Sequence, residues 1–467
     1  MSENVLFKCL NCSTMYREPR IICPKCSGLV LAYYPKPKHL EIRDEYEGIW
    51  KFGKHLPPIP LNYVVSLNEG NTPLLRMKNF SSKIKYKGEI LVKDETRNPT
   101  GSFRDRVATV IVSHALYVGA KKLICATDGN TGASISAYAA KAGIECTAIV
   151  PRNADYGKIL QMIAYGSKIL EYGEIIDEAV LKALQMSLAN NYYQATAELN
   201  PLSIEGLKTI SYEIFVKMKD TPDWIVTPAG SGLTLLSLAL GFKELHELRL
   251  IRKKPRFLVV QSLACSPIVD AIEESKEEMA YKGSRKHIPG LDSCKPLILP
   301  HVIKMVKEYE CRGVKVSYVE ALNYVDTIAK LEGLFLEPAA ASAFAGLAKA
   351  VKENIIEDDK RVVVLAPATG LKASMLYAKE PSRKKYVPKL SGINTKAMIL
   401  EILKSKGPMH GYGLWKELGL MLSVQAVYQH LEELRRKGLV KVEIKGRKKV
   451  YSLTDKGLRI SEVLSKI

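Results

Sequence analysis

Short apolar runs rich in β-branched residues recur through the middle of the chain, at residues 89–92, 123–127, 146–150, 224–227, 257–260 and 361–365. The segments between them place apolar residues at helical spacing. This alternation predicts an α/β body, a mainly parallel sheet with helices on both faces. In such sheets ligands sit beyond the carboxyl ends of the strands, so a site is expected in the loops that follow these runs.

Further along the pattern changes. A stretch rich in Pro, Ser and Lys, KEPSRKKYVPKLSG at 379–392, reads as a linker. A helix is then expected from Thr395, with Ala397, Met398, Ile399, Ile402 and Leu403 apolar and Gly407-Pro408 as its stop. A short helix over 410–418 follows, then a third that Ser423 caps, with Val424, Val427, Leu431 and Leu434 on one face and Gly438 at its end. Residues 439–454, LVKVEIKGRKKVYSLT, alternate as two strands around Lys445-Gly446-Arg447, and a last helix starts at Asp455. This is the order of a winged helix-turn-helix. The expected organisation is a small cysteine-bearing unit over 1–35, the α/β body over 36–378, a linker over 379–393 and the winged helix over 394–467.

Charge follows the same division. Residues 381–467 hold 19 Lys and Arg against 7 Asp and Glu, a net of +12 within a whole-chain +20. A basic module on a mildly charged body suits attraction to phosphate polymers, here double-stranded DNA. Winged helices insert a helix end into the major groove while the hairpin touches the backbone. Ser423, Gln425, Ala426 and Gln429 are therefore expected to face bases, and Lys445, Arg447, Lys448 and Lys449 to face phosphates.

The chain has 467 residues, 47% of them hydrophobic, enough for sizeable cores. Residues 2–20 are polar and charged, and no run of about 18 apolar residues occurs, so a cytoplasmic protein without a membrane segment is expected. Of nine cysteines, Cys125, Cys146, Cys265, Cys294 and Cys311 stand singly and read as core thiols, not a disulfide framework. The other four form two CxxC pairs, Cys9 with Cys12 and Cys23 with Cys26. That spacing suits four thiolates around one structural Zn2+, a closed site that contributes folding energy and no Lewis-acid chemistry.

Two glycine-rich loops follow predicted strands. DGNTGAS at 128–134 offers Asn130, Thr131 and Ser134 at a helix N-terminus, and PAGSGLT at 228–234 offers the backbone N–H groups of Gly230, Ser231, Gly232 and Leu233 with the Thr234 hydroxyl. Both arrangements suit an anion.

Several segments in order, SLNEGNTPLL at 66–75, KDETRNPTGSFRDR at 93–106, NPLSIEGLKTISYEI at 200–214, EPAAASAFAGL at 337–347 and VVVLAPATGLKAS at 362–374, resemble threonine synthases and related pyridoxal-phosphate lyases. The resemblance implies the tryptophan synthase β-like fold, fold type II, with a two-subdomain parallel-sheet body. It implies that the first loop holds a substrate carboxylate, with its asparagine against the cofactor's 3-oxygen, and that the second holds a phosphate. An N-terminal zinc ribbon also occurs in some threonine synthases. GPMHGYGLWKEL, the helix from Ser423 and GRKKVYSLTDKG resemble PadR-type regulators.

Two departures fall at the chemistry. Where the family segment reads NPTGSF-Lys-DR, this chain has Arg104, and counting back from Gly370-Leu371-Lys372 puts Pro367 where the resemblance implies a threonine hydroxyl against the pyridine nitrogen, with Thr369 two residues on as the alternative. A lysine amine, desolvated, condenses with an aldehyde; a guanidinium stays protonated and does not. Lys93 and Lys372 are the substitute amines to examine, and Asp105 and Glu95 are the expected partners if Arg104 is merely structural. The expected function is a DNA-binding regulator, kept from catalysis by Arg104 and working as a homodimer, whose body senses a small ligand. Pyridoxal phosphate held non-covalently, phosphohomoserine or an amino acid are the candidates. The alternative is an active threonine synthase or related lyase fused to a DNA-binding domain.

Overall fold

The computed structural model describes residues 5–152, 154–274, 288–373, 395–418, 424–445 and 448–464. They belong to two compact units, one within residues 1–376 and one within 377–467. The expected linker at 379–393 lies outside the described residues.

The first unit begins with β1 (Leu6–Cys9), β2 (Met15–Tyr16) and β3 (Val30–Tyr33), an antiparallel ribbon with β1 in the centre. Phe7, fully buried, packs edge-on against His114 at 5.8 Å and joins the ribbon to the body's core. The body then runs β4 (Leu74–Arg76), α1 (Lys78–Lys83), β5 (Glu89–Asp94), α2 (Asp105–Tyr117), β6 (Lys122–Ala126), α3 (Asn130–Ala142), β7 (Glu145–Val150), α4 (Tyr156–Ala164), β8 (Lys168–Glu171), α5 (Ile176–Asn190), β9 (Tyr193–Gln194), α6 (Leu202–Met218), β10 (Trp224–Pro228), α7 (Leu233–Glu247), β11 (Arg256–Ser262), α8 (Pro267–Glu274), α9 (Leu299–Glu308), β12 (Cys311–Val316), α10 (Tyr318–Glu332), α11 (Pro338–Lys352) and β13 (Arg361–Ala366).

These strands form two sheets. The larger, in the order β12-β11-β10-β13-β5-β4, is parallel except for the edge strand β4. The smaller, β8-β7-β6-β9, is wholly parallel. The chain enters the larger sheet with β4 and β5, builds the smaller one, and returns. All six predicted runs are strands here. β8 and β12 were not expected, because edge strands need no continuous apolar run: KILE is half-exposed and CRGVKV alternates.

One expectation is corrected. Cys265 and Cys294 are joined in a disulfide, with their Cα atoms 5.4 Å apart, while Cys125, Cys146 and Cys311 are buried free thiols. Cys265 follows β11, and Cys294 lies in a segment that folds back over the same end of the sheet. A sequence separation of 29 carries no sign of that return.

The second unit comprises α12 (Thr395–Lys406), β14 (Met409–His410), α13 (Gly411–Glu417), α14 (Val424–Arg436), β15 (Val440–Lys445), β16 (Lys448–Leu453) and α15 (Asp455–Leu464). Its sheet, β14-β16-β15, is antiparallel and pairs Lys445 with Lys448 at the hairpin end. Ile399, Leu403, Leu414, Val427, Leu431, Leu434 and Tyr451 make its core. No helix among the described residues is long and apolar enough to cross a membrane.

Candidate functional site

The loop before α2 is laid against the turn that follows β13. Thr369 N–H donates to Gly101 O (3.0 Å), Phe103 N–H donates to Pro367 O (2.9 Å), and Ser102 pairs with Ala368. Asp105 closes the turn by accepting from Thr100 N–H and Thr100 Oγ1, both at 2.7 Å. Tertiary pairing thus brings Arg104 and Pro367, distant in sequence, into the wall of one cavity of about 370 Å3. The cavity also takes in Thr127, Ala229 and Leu365, at the carboxyl ends of β6, β10 and β13, where α/β sheets place their ligands.

The second glycine-rich loop forms one end. Gly230, Ser231, Gly232, Leu233 and Thr234 all line the cavity, and Leu233 begins α7, so unpaired N–H groups and the helix dipole point to it. Gly232 has φ +84°, and a Cβ there would stand 2.8 Å from Ile268 and 2.9 Å from Val302. Only glycine fits that turn.

The first loop is deployed differently from the expectation. Asn130 and Thr131 line the cavity, but Ser134 does not: its hydroxyl is buried and lies 3.0 Å from Thr100 Oγ1. Asn130 Nδ2 donates to Glu337 Oε1 (2.8 Å), whose other oxygen lies 2.9 Å from the buried Lys158 ammonium. Gly129, at φ +146°, lets Lys158 pass, since a Cβ there would fall 2.1 Å from Lys158 Cδ. Asp128, Glu198, Asp292 and Glu337 are further lining residues that sequence reasoning did not single out. Glu337 opens the quoted EPAAASAFAGL segment, which is the signal that was present for it.

Arg104 pairs with neither Asp105 nor Glu95. Its Nη2 lies 3.6 Å from Glu198 Oε1, its guanidinium carbon stands 4.7 Å from the Phe103 ring centroid, and its Nη1 is buried without a hydrogen-bond partner. Asp105 is held by Thr100 as described. Glu95 belongs to Arg106, whose guanidinium donates to Glu95 and Glu213 at 2.8–2.9 Å and to Thr209 and Thr72. Burial raises the Glu198 carboxyl above its usual range and Arg104 opposes that shift.

Neither substitute amine lines the cavity. Lys93 is fully buried and held by Glu213 Oε2 (2.6 Å) and Thr72 O (2.7 Å). The Lys372 amine is buried without a hydrogen-bond partner, and burial, with Lys158 nearby, pushes it down to about 8.

At the N-terminus, Cys9 Sγ lies 3.5 Å from Cys26 Sγ and Cys12 Sγ 3.6 Å from Cys23 Sγ, and all four sulfurs fall within 4.8 Å of one another. Four ligands about 2.3 Å from a tetrahedral Zn2+ require sulfurs about 3.8 Å apart, so the donor set fits that ion.

In the second unit Gln425 and Gln429 are exposed near the start of α14 and Ala426 is half-buried, while Ser423 lies outside the described residues. Lys449 is exposed on β16; Lys445 and Lys448 take their places on β15 and β16, and Arg447 is outside the described residues.

Comparison with known proteins agrees with this division. The pyridoxal-phosphate dependent enzyme family matches residues 65–368, and the PadR-like family of transcriptional regulators matches residues 399–462. The threonine synthase of Methanocaldococcus jannaschii is 32% identical over 390 residues, covering 81% of this chain and 96% of that protein. That of Methanosarcina acetivorans is 31% identical over 374 residues, covering 78% and 91%. Among solved structures, the processed form of threonine deaminase isoform 2 from Solanum lycopersicum superposes with a TM-score of 0.57 at 18% identity, covering 74% of this chain and 97% of that one, a likeness of fold alone.

Proposed function

We propose, for a chain that belongs to the pyridoxal-phosphate dependent enzyme family and carries a PadR-like domain, that its body is a non-catalytic ligand sensor and its winged helix a DNA-binding reader. The observation that carries this reading is Arg104 in the cavity wall with Nη1 unpartnered. A guanidinium offers a planar fork of donors to an anion and no lone pair for condensation.

The residues fit part of pyridoxal phosphate. The turn at Gly230–Thr234 suits its phosphate, whereas Arg104 supplies no covalent anchor and Pro367 no side-chain partner for the pyridine nitrogen. The reading is therefore a cytoplasmic regulator, working as a homodimer on half-sites about 34 Å apart, whose ligand is bound without a covalent bond. A ligand shifts DNA affinity only as far as it binds the DNA-competent arrangement differently from the other.

The purified protein should be colourless, and borohydride should change nothing in its spectrum. Pyridoxal phosphate, phosphohomoserine and amino acids, added singly, should include one that raises the melting temperature saturably; no shift with any of them removes the sensor. A yellow protein bleached by borohydride, with the label on Lys372 or any other lysine, restores the alternative of an active lyase. For DNA, neutralising Arg447, Lys448 and Lys449 together should flatten the slope of log affinity against log salt by up to about 2.7, at ~0.9 per phosphate neutralised, on all sequences alike. Replacing Gln425 or Gln429 should instead change the preference among sequences. An unchanged footprint in both variants contradicts this docking.

A further inference from the structure

Three carboxylates besides Glu337 stand in the cavity wall near the glycine-rich loops, and one of them, Glu198, already accepts from the Ser231 hydroxyl of the phosphate turn at 3.4 Å. Asp128 heads the first glycine-rich loop, half-buried, and its carboxylate has no hydrogen bond and no ion pair among the described residues. Asp292 faces it from the segment closed by the disulfide; burial and the nearness of Asp128 push its carboxyl up to about 7. Glu198 is raised by burial and again by Asp128, with Arg104 as its counter-ion.

Asn130 supplies an independent sign. It is 8% exposed and lines the cavity. An ionised carboxylate only accepts hydrogen bonds, so the bond to Glu337 fixes the amide with Nδ2 toward that residue. Its Oδ1 is left buried without a partner, an acceptor awaiting a donor. A ligand aldehyde brings only another acceptor to this wall. A ligand carboxylate meets Asp128 at the loop where the family resemblance placed a carboxylate.

We propose that the cavity selects a phosphate monoester bearing a protonated primary amine and no carboxylate. The phosphate would lie at Gly230–Thr234 and the ammonium toward Asp128 and Asn130 Oδ1. The inference rests on the non-covalent sensor reading and ranks an amine form above the aldehyde and the phosphorylated amino acid that the reading also admits.

Calorimetric titration of the full chain with pyridoxamine 5′-phosphate, pyridoxal 5′-phosphate, phosphohomoserine and inorganic phosphate tests it. The amine is expected to bind about tenfold or more tightly than the aldehyde and phosphohomoserine, as one additional charge-assisted hydrogen bond allows. Asp128→Asn should erase that preference, bringing the amine down to the affinity of the aldehyde. Equal or tighter binding of the aldehyde or phosphohomoserine overturns the amine selection while leaving a sensor. A preference untouched by Asp128→Asn overturns it as well. Absence of binding by all four probes removes the selection, and absence of any melting-temperature shift with amino acids as well removes the sensor reading.

Discussion

Arg104 and Arg106 lie two residues apart at the start of the same helix, and their surroundings are opposites. Arg106 is fully buried, and two carboxylates and two hydroxyls from the turn after β5, from α6 and from the loop before β4 receive its donors. Arg104 stands at a cavity with one long ion pair and one buried nitrogen without a partner. The first is an internal charge neutralised in place; the second is a charge whose complement is incomplete. A satisfied buried charge holds structure together, whereas an unsatisfied one at a cavity is a candidate for recognition.

The sharpest contrast lies in stability. Arg106→Met would leave Glu95 and Glu213 buried with Lys93 as their remaining cation. Unfolding by urea should show a loss of about 3–5 kcal/mol, the usual cost of breaking a buried pair, and a loss under about 1 kcal/mol would deny the network its structural role. Next in size is a pH effect at Asp292. A carboxyl raised to about 7 in the folded chain binds protons that the unfolded chain has released, so its contribution falls as pH rises from about 4 to about 7. Asp292→Asn should therefore gain stability at pH 8, by at most about 4 kcal/mol at ~1.4 kcal/mol per unit, and gain none at pH 4. A gain equal at both values would mean that ionisation is not its cause. Smallest should be the effect of Arg104→Met on folding, within about 1 kcal/mol for a partly exposed pair, alongside about a tenfold loss of anionic-ligand affinity. A large loss of stability there would put Arg104 in the same class as Arg106.

The contrast was only partly legible in the chain. NPTGSFRDR displays both arginines, and the chemistry of guanidinium marked Arg104 as unable to condense. Spacing also singled out both glycine-rich loops, which the fold brings to one cavity. It could not tell that Ser134 turns away to Thr100, or that Glu198, 94 residues from Arg104, is its ion partner. Such pairs are made by the meeting of two sheets, and no local periodicity encodes them. The same holds for Cys265 and Cys294, which read as unrelated thiols until the chain folded back.

By itself the sequence determined six strands of the body and the helical segments between them, the winged-helix order of the carboxyl-terminal unit, the four-cysteine spacing and the loss of the condensing amine. These follow from residue type, period and short spacing, which act within a few turns of chain. Tertiary structure decided which charges are neutralised and which face a cavity: Arg106 enclosed, Arg104 half-answered, Asp128 open and Asn130 left with a buried, unpartnered acceptor. That decision depends on distance through space and on burial, because the strength of a charge or a hydrogen bond is set by what surrounds it after packing.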